Sequence, residues 1–200
     1  MKKVLLLLML LFITVSARSQ IVDAMYVTYK NDTVRTRVIY RTFKYYKDII
    51  DAASFIGTIM TLTDSGITKV KEKNIKYMEL YFRKKKRVFT TKELVSELTD
   101  ANRLYEMMDT GKINWYRSYR RSNYSVDEIE HFYISGQPLR TVGVFGRLRN
   151  TLREMMGVTR PDLIPFINEM KTIMVKTRLK SLTELFAAYN KDLPPPLVTE

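Results

Sequence analysis

The feature that most constrains this chain is a change of period. From Met25 to Phe145 apolar residues recur mainly at every second position, whereas beyond Gly146 they recur every three or four. A period of two suits strands with one buried face, and a period near 3.6 suits helices with one apolar stripe. The reading is an α+β protein: an antiparallel, strand-rich body over roughly 25 to 145, with C-terminal helices over 146–190 packed on it. At 200 residues and 46% hydrophobic content the chain can bury one ordinary core. No fixed-period repeat and no Gly/Ser linker interrupts it, so 20–192 reads as a single domain followed by a Pro-rich tail at 193–200.

The strands can be placed individually. Tyr26 and Thr28, then Val34, Thr36, Val38 and Tyr40, alternate around Asn31-Asp32 and predict a hairpin, with Arg35, Arg37 and Arg41 on its wet face. Ile59 to Leu62 and Ile67 to Val70 flank Asp64-Ser65-Gly66 as a second hairpin. Ile75 to Phe82 forms a further strand, leading through the basic turn 83–87 to Val88 and Phe89. Ile113 to Tyr119 and Ile129 to Tyr133 alternate again, and Ser135 to Pro138 turns the latter into a strand over 139–145. Between these, Thr90 and Glu93 make a capping box that predicts a helix over 91–109. After Gly146 come a helix ending at Gly157, one starting at Pro161, and one capped by Ser181 and Glu184.

The first nineteen residues read as a signal peptide. Lys2 and Lys3 precede an apolar run from Val4 to Val15, and Ala17 and Ser19 supply the small residues before a cut at Gln20, with cleavage after Ala17 as the alternative. That run is too short for a bilayer, which takes roughly 20 residues. Export to the periplasm, cell surface or medium follows, with no transmembrane span after cleavage. Removing Lys2, Lys3 and Arg18 lowers the net charge from +13 by three, so the basic character belongs to the mature part. The chain has no cysteine, which excludes disulfides, thiol catalysis and a lipidated N-terminal cysteine.

These pieces resemble a broad group of uncharacterised exported proteins of Bacteroidota. The likeness is carried by the signal peptide ending before Gln20, the Asn31-Asp32-Thr33 hairpin and the Ser65-Gly66 hairpin followed by Asn74-Ile75-Lys76-Tyr77. It extends to Gly111-Lys112-Ile113 and a closing helix that finishes Tyr189-Asn190. The resemblance implies export and a β-rich architecture. It brings no catalytic motif with it.

The residues themselves offer little chemistry. His131 is the only histidine, and Glu128 three positions earlier would face the opposite side of a strand, so a metal role for the pair is disfavoured. No Gly-x-Ser-x-Gly turn accompanies it, and seven scattered glycines make no phosphate-binding loop. Catalytic residues, metal ligands and cofactors are therefore assigned to none. What stands out is basic residues among aromatic ones. Lys44, Lys47, Arg83, Lys84, Lys85, Lys86, Arg87, Arg117, Arg120 and Arg121 form a candidate anion-binding set, with Trp115 and Tyr119 as stacking platforms. The competing reading puts the aromatic rings in the core and the cations in water, as any half-buried sheet would.

The function expected is that of an exported envelope protein, a non-enzymatic binding or structural interaction module with a basic surface. Its partner would be an anionic envelope polymer or an acidic protein, and export disfavours nucleic acid. The alternative is a hydrolase of envelope or extracellular polymer that works through carboxylates and Arg.

Overall fold

The computed structural model describes residues 19–43, 46–82, 85–92, 95–100, 103–121, 126–143, 147–170 and 175–196. It is strand-rich and antiparallel, as the period-two patterning predicts. The chain packs as two compact units, Met1–Val88 and Phe89–Glu200. Of the signal peptide expected over 1–19, residues 1–18 lie outside the described residues, and Ser19 opens the first strand.

The first unit is a sheet of β1 (Ser19–Thr28), β2 (Thr33–Phe43), β4 (Thr58–Thr63), β5 (Gly66–Lys71) and β6 (Ile75–Tyr81). A short β3 (Tyr46–Ile50) pairs with β2, and β7 (Lys86–Thr90) runs across the boundary between the units. The order β6-β1-β2-β4-β5 places the N-terminal strand in the interior of the sheet. Both expected hairpins are present. Asn31 turns the first at φ 65, a left-handed conformation that Asn tolerates better than most residues, and Gly66 turns the second at φ 116, where a Cβ would be strained. Alternation then sorts the side chains. Val22, Ala24, Tyr26, Val38, Tyr40, Ile59, Met78 and Leu80 are buried, while Ile21, Asp23, Arg35, Arg37 and Arg41 are exposed.

The second unit is a meander of β8 (Tyr105–Asp109), β9 (Asn114–Arg121), β10 (Val126–Tyr133) and β11 (Arg140–Val142). Three helices follow: α1 (Leu148–Met156), α2 (Ile164–Glu169) and α3 (Val175–Asn190). Ile113, Trp115, Phe132 and Val142 share one buried cluster with Leu148, Leu152, Leu163, Ile167, Leu182 and Phe186. The Phe186 ring stacks on both Trp115 and Phe132, with centroids 5.0 and 5.4 Å away. The opposite face of the same strands is also buried, because Leu98, Tyr105 and Tyr116 form a second cluster there.

Two expectations from helical spacing are corrected. Among the described residues of 91–109 no helix forms: Thr90 ends β7, Tyr105–Asp109 is β8, and between them Val95 N–H bonds to Thr91 O and Leu98 N–H to Val95 O in isolated turns. Pairing β8 with β9 carries Tyr105 onto Tyr116 and Glu106 against Tyr119, and those buried contacts override local propensity. Ser181 does not cap the last helix either. α3 already begins at Val175, because Arg178 reaches Glu128 of β10 and Leu179 packs on the cluster two residues before Ser181. The final turn of α3 is clasped by its own Asn190. Its Oδ1 accepts the Ile113 N–H at 3.0 Å, and its Nδ2 donates to Ile113 O and Asp109 Oδ2 at 3.1 and 3.0 Å. A Cβ on Gly111 would come within 2.7 Å of Asn190 Cγ, so only glycine fits beside the clasp.

Candidate functional site

Three of the sequence-predicted site residues lie inside the second unit rather than on its surface. Alternation along β9 turns Trp115, Arg117 and Tyr119 to one face, and the antiparallel register sets Arg117 directly opposite Glu130. Arg117 is 3% exposed. Its Nη2 and Nε donate to Glu130 Oε1 at 2.7 and 3.0 Å, and the Trp115 Nε1–H donates to Glu130 Oε2 at 2.6 Å. Glu128, two residues back, lies 3.7 Å from Arg117 Nη1 and accepts from Arg178 Nη2 at 2.5 Å. Tyr119 donates its hydroxyl to the buried Glu106. Burial alone would lower the Arg117 pKa, but the carboxylate of Glu130 first, and that of Glu128, more than reverse this and hold the guanidinium protonated. The expected surface roles of Arg117, Trp115 and Tyr119 are therefore corrected: the cation is neutralised internally, and the rings are core residues whose polar atoms are already bonded.

On the opposite face of the same strands sits an arrangement that resembles catalytic machinery. Ser118 Oγ and His131 Nε2 lie 2.8 Å apart. The other ring nitrogen, Nδ1, meets the Thr141 hydroxyl at 3.1 Å, where a hydrolytic triad would have a carboxylate. Burial, with a smaller contribution from the Arg103 charge, depresses His131 to about 4, so the ring is neutral near pH 7 and a weak base. Ser118 is buried as well, and the Tyr105 ring packs edge-on against the imidazole at 5.0 Å. The pair is a satisfied core hydrogen bond. Glu128 and His131 face opposite sides of β10, as the strand reading requires, and among the described residues no group of three or more His, Asp or Glu could hold a metal ion.

The remaining predicted cations scatter. Lys44, Arg83 and Lys84 lie outside the described residues, and Lys47 falls on β3. Lys85 and Lys86 are exposed on the first unit, and Lys86 Nζ sits 2.9 Å from Glu79 Oε1. Arg87 places its guanidinium 5.8 Å from the centre of the Phe55 ring. Arg120 and Arg121 are exposed at the end of β9 on the second unit.

The outward face of the first unit's sheet gathers charges that the candidate set does not include. Register builds it in rows. Met25 lies between Glu79 and Arg35; Asp23 lies between Tyr81 and Arg37, with Leu62 and Ile67 continuing the row; Ile21, Ile39, Met60 and Lys69 form the next. Arg41 lies beyond, opposite Ser19. Arg35, Arg37, Arg41 and Lys69 are exposed, and none makes a side-chain hydrogen bond or ion pair among the described residues. Glu79 is already saturated: Tyr77 and Tyr81 donate their hydroxyls to it and Lys86 adds a third donor. Those bonds, the two phenols first, pull its pKa to about 2. Ile21 and Ile67 are 53% and 59% exposed on this face.

The alternation of Arg35, Arg37 and Arg41 marks a wet strand face in the sequence. Their convergence with Ile21, Met60 and Lys69 depends on a pairing of β2 with β4 that no local pattern encodes. No family model, no curated protein and no solved structure matches this chain. No helix among the described residues is long and apolar enough to cross a membrane.

Proposed function

We propose that this chain is an exported, non-enzymatic binding module that engages an anionic partner through exposed cations. The observation that carries this reading is a contrast in how charges are used. The buried carboxylates Glu79 and Glu130 are each occupied by two or more donors of the fold, and His131 is neutral and enclosed. Cations stand outward: Arg35, Arg37, Arg41, Lys69 and Lys85 on the first unit, Arg120 and Arg121 on the second. A hydrolase of envelope polymers would need a carboxylate or nucleophile free to meet substrate. The pattern of residues 1–19 supports export, which makes anionic glycans, lipid phosphates and acidic proteins the available partners.

The test takes the protein from its native cell fraction and from a purified preparation. Mass spectrometry is expected to find a chain beginning at Gln20 in the envelope or medium. The purified chain is expected to bind heparin or polyglutamate at low salt, with affinity falling steeply as NaCl rises. Intact Met1 on a cytoplasmic protein would overturn export. No binding to either polyanion at low ionic strength would overturn the anionic partner.

A further inference from the structure

We infer that the outward face of the first unit's sheet is a docking surface for an acidic protein, one that sets aliphatic side chains on the Ile21–Ile39–Met60 row and carboxylates on the arginines at either side. This rests on the anionic-partner reading and narrows it to one face and one class of partner.

The arrangement follows from register. Ile21, Ile39 and Met60 lie side by side on three adjacent strands and make an apolar row, with Lys69 at its end on β5. Arg37 precedes Ile39 by two residues on β2, and Arg41 follows it by two, so both arginines stand on the same face as the row and bracket it. At the usual rise of a strand their Cα atoms are about 13 Å apart, roughly the width of one polypeptide element with its side chains. Among the described residues Asp23 and Glu79 are the acids of this face, and Glu79 is spent on Tyr77, Tyr81 and Lys86. The surplus is positive, and the complement is an acidic surface.

Composition decides the class of partner. Arg, Met, Tyr and Ile with little Lys at the centre is the mixture found in protein interfaces, where Arg and Met are enriched and Lys is depleted. A polysaccharide or free polyphosphate would use the arginines and leave Ile21, at 53% exposure, and Ile67, at 59%, with nothing to cover them. A bilayer surface favours Lys-rich and Trp- or Phe-bearing faces, and it would bring Asp23, opposite Arg37, against anionic headgroups. An acidic protein with aliphatic side chains satisfies both the cations and the apolar row.

The experiment measures binding of the mature chain to four probes at low salt: poly-L-glutamate, a random glutamate–leucine copolymer, heparin, and phosphatidylglycerol vesicles. The copolymer is expected to bind most tightly. Arg37→Glu with Arg41→Glu should weaken copolymer and polyglutamate binding by about tenfold or more. Ile21→Ser should remove the copolymer's advantage over polyglutamate and leave polyglutamate itself unchanged. Circular dichroism and melting temperature check that each variant is folded, and the milder Arg37→Gln with Arg41→Gln replaces the reversal if it is not. Equal affinity for the two polypeptides, insensitivity to the arginine variants, or preference for heparin or vesicles through the same arginines would each overturn the inference. Those results leave the anionic-partner reading standing; failure of the unaltered chain to bind any of the four removes both.

Discussion

The two units use the same ingredients, antiparallel strands carrying Arg, Glu and Tyr at alternate positions, and reach opposite ends. In the second unit both faces of the meander carry buried residues, one in a cluster with Leu148, Leu152, Leu182 and Phe186 and the other with Leu98. The charges buried on those strands find partners inside, where Arg117, Glu130, Glu128 and Arg178 interact as one set. In the first unit one face stays wet, and Arg35, Arg37 and Arg41 point outward without partners among the described residues. Alternation therefore says which residues share a face, and the later topology decides whether that face is interior.

The sharpest way to break the comparison is at Trp115. It is 1% exposed, stacked on Phe186 and bonded to Glu130, so Trp115→Ala should cost about 3–5 kcal/mol in urea unfolding followed by circular dichroism. A loss under about 1 kcal/mol would mean the ring is not core and would restore it as a stacking surface. Glu130→Ala should cost a similar amount, about 3–5 kcal/mol, because it strands the Arg117 guanidinium in the interior. Replacing both partners, Glu130→Leu with Arg117→Met, should recover much of that loss. If it does not, the pair contributes more than mutual neutralisation.

His131 sharpens the same contrast through pH. Its folded pKa is held near 4 against about 6.5 unfolded, so below pH 6.5 the unfolded chain binds the proton first. Stability from this group is complete above about 6.5 and is lost as pH falls towards 4, by on the order of 3 kcal/mol. His131→Gln should flatten the fall between pH 6.5 and 4. Glu79, depressed to about 2, acts in a lower window: its contribution is full above the ordinary carboxylate range and is lost as pH falls through about 2. A variant that keeps the full slope between pH 6.5 and 4 would show that His131 is solvated.

Much of this was legible in the sequence, for a physical reason. Period-two alternation around Asn31-Asp32 and Asp64-Ser65-Gly66 is a local signal, and both hairpins form there. The site was less legible. Basic and aromatic residues along β9 suggest a surface, but Trp115, Arg117 and Tyr119 are buried, and sequence spacing does not reveal that Trp115 shares a cluster with residues as distant as Leu182 and Phe186 or that Arg117 faces Glu130. The helix expected over 91–109 failed similarly: Leu98, Tyr105 and Met108 keep a three-to-four spacing, yet long-range pairing with β9 was worth more than local propensity. Gly111-Lys112-Ile113 and Tyr189-Asn190, recognisable only as similar stretches, turn out to be two halves of one clasp. Asn190→Ala removes its bonds and leaves the Ile113 amide and carbonyl short of partners, so a loss of about 1–3 kcal/mol is expected. Asn190→Asp keeps the acceptor for the Ile113 N–H but sets a second carboxylate against Asp109 Oδ2 and Ile113 O, so it should cost at least as much at pH 7; a clearly smaller loss than for Asn190→Ala would mean that the two Nδ2 bonds contribute little.

The smallest expected effect is the most telling one for the open face. Arg35→Ala and Arg37→Ala each remove an exposed guanidinium that makes no side-chain hydrogen bond or ion pair among the described residues. Each should shift unfolding by no more than about 0.5 kcal/mol, the range of surface substitutions that touch no special feature. Arg117→Ala, on the same kind of strand position in the other unit, should cost several times more, because it leaves Glu130 buried with a single donor. That ratio is the comparison expressed as a measurement. If Arg35 or Arg37 proved as costly as Arg117, these side chains would be holding structure rather than waiting for a partner, the two units would use their charges alike, and the docking face would lose the free cations on which it depends.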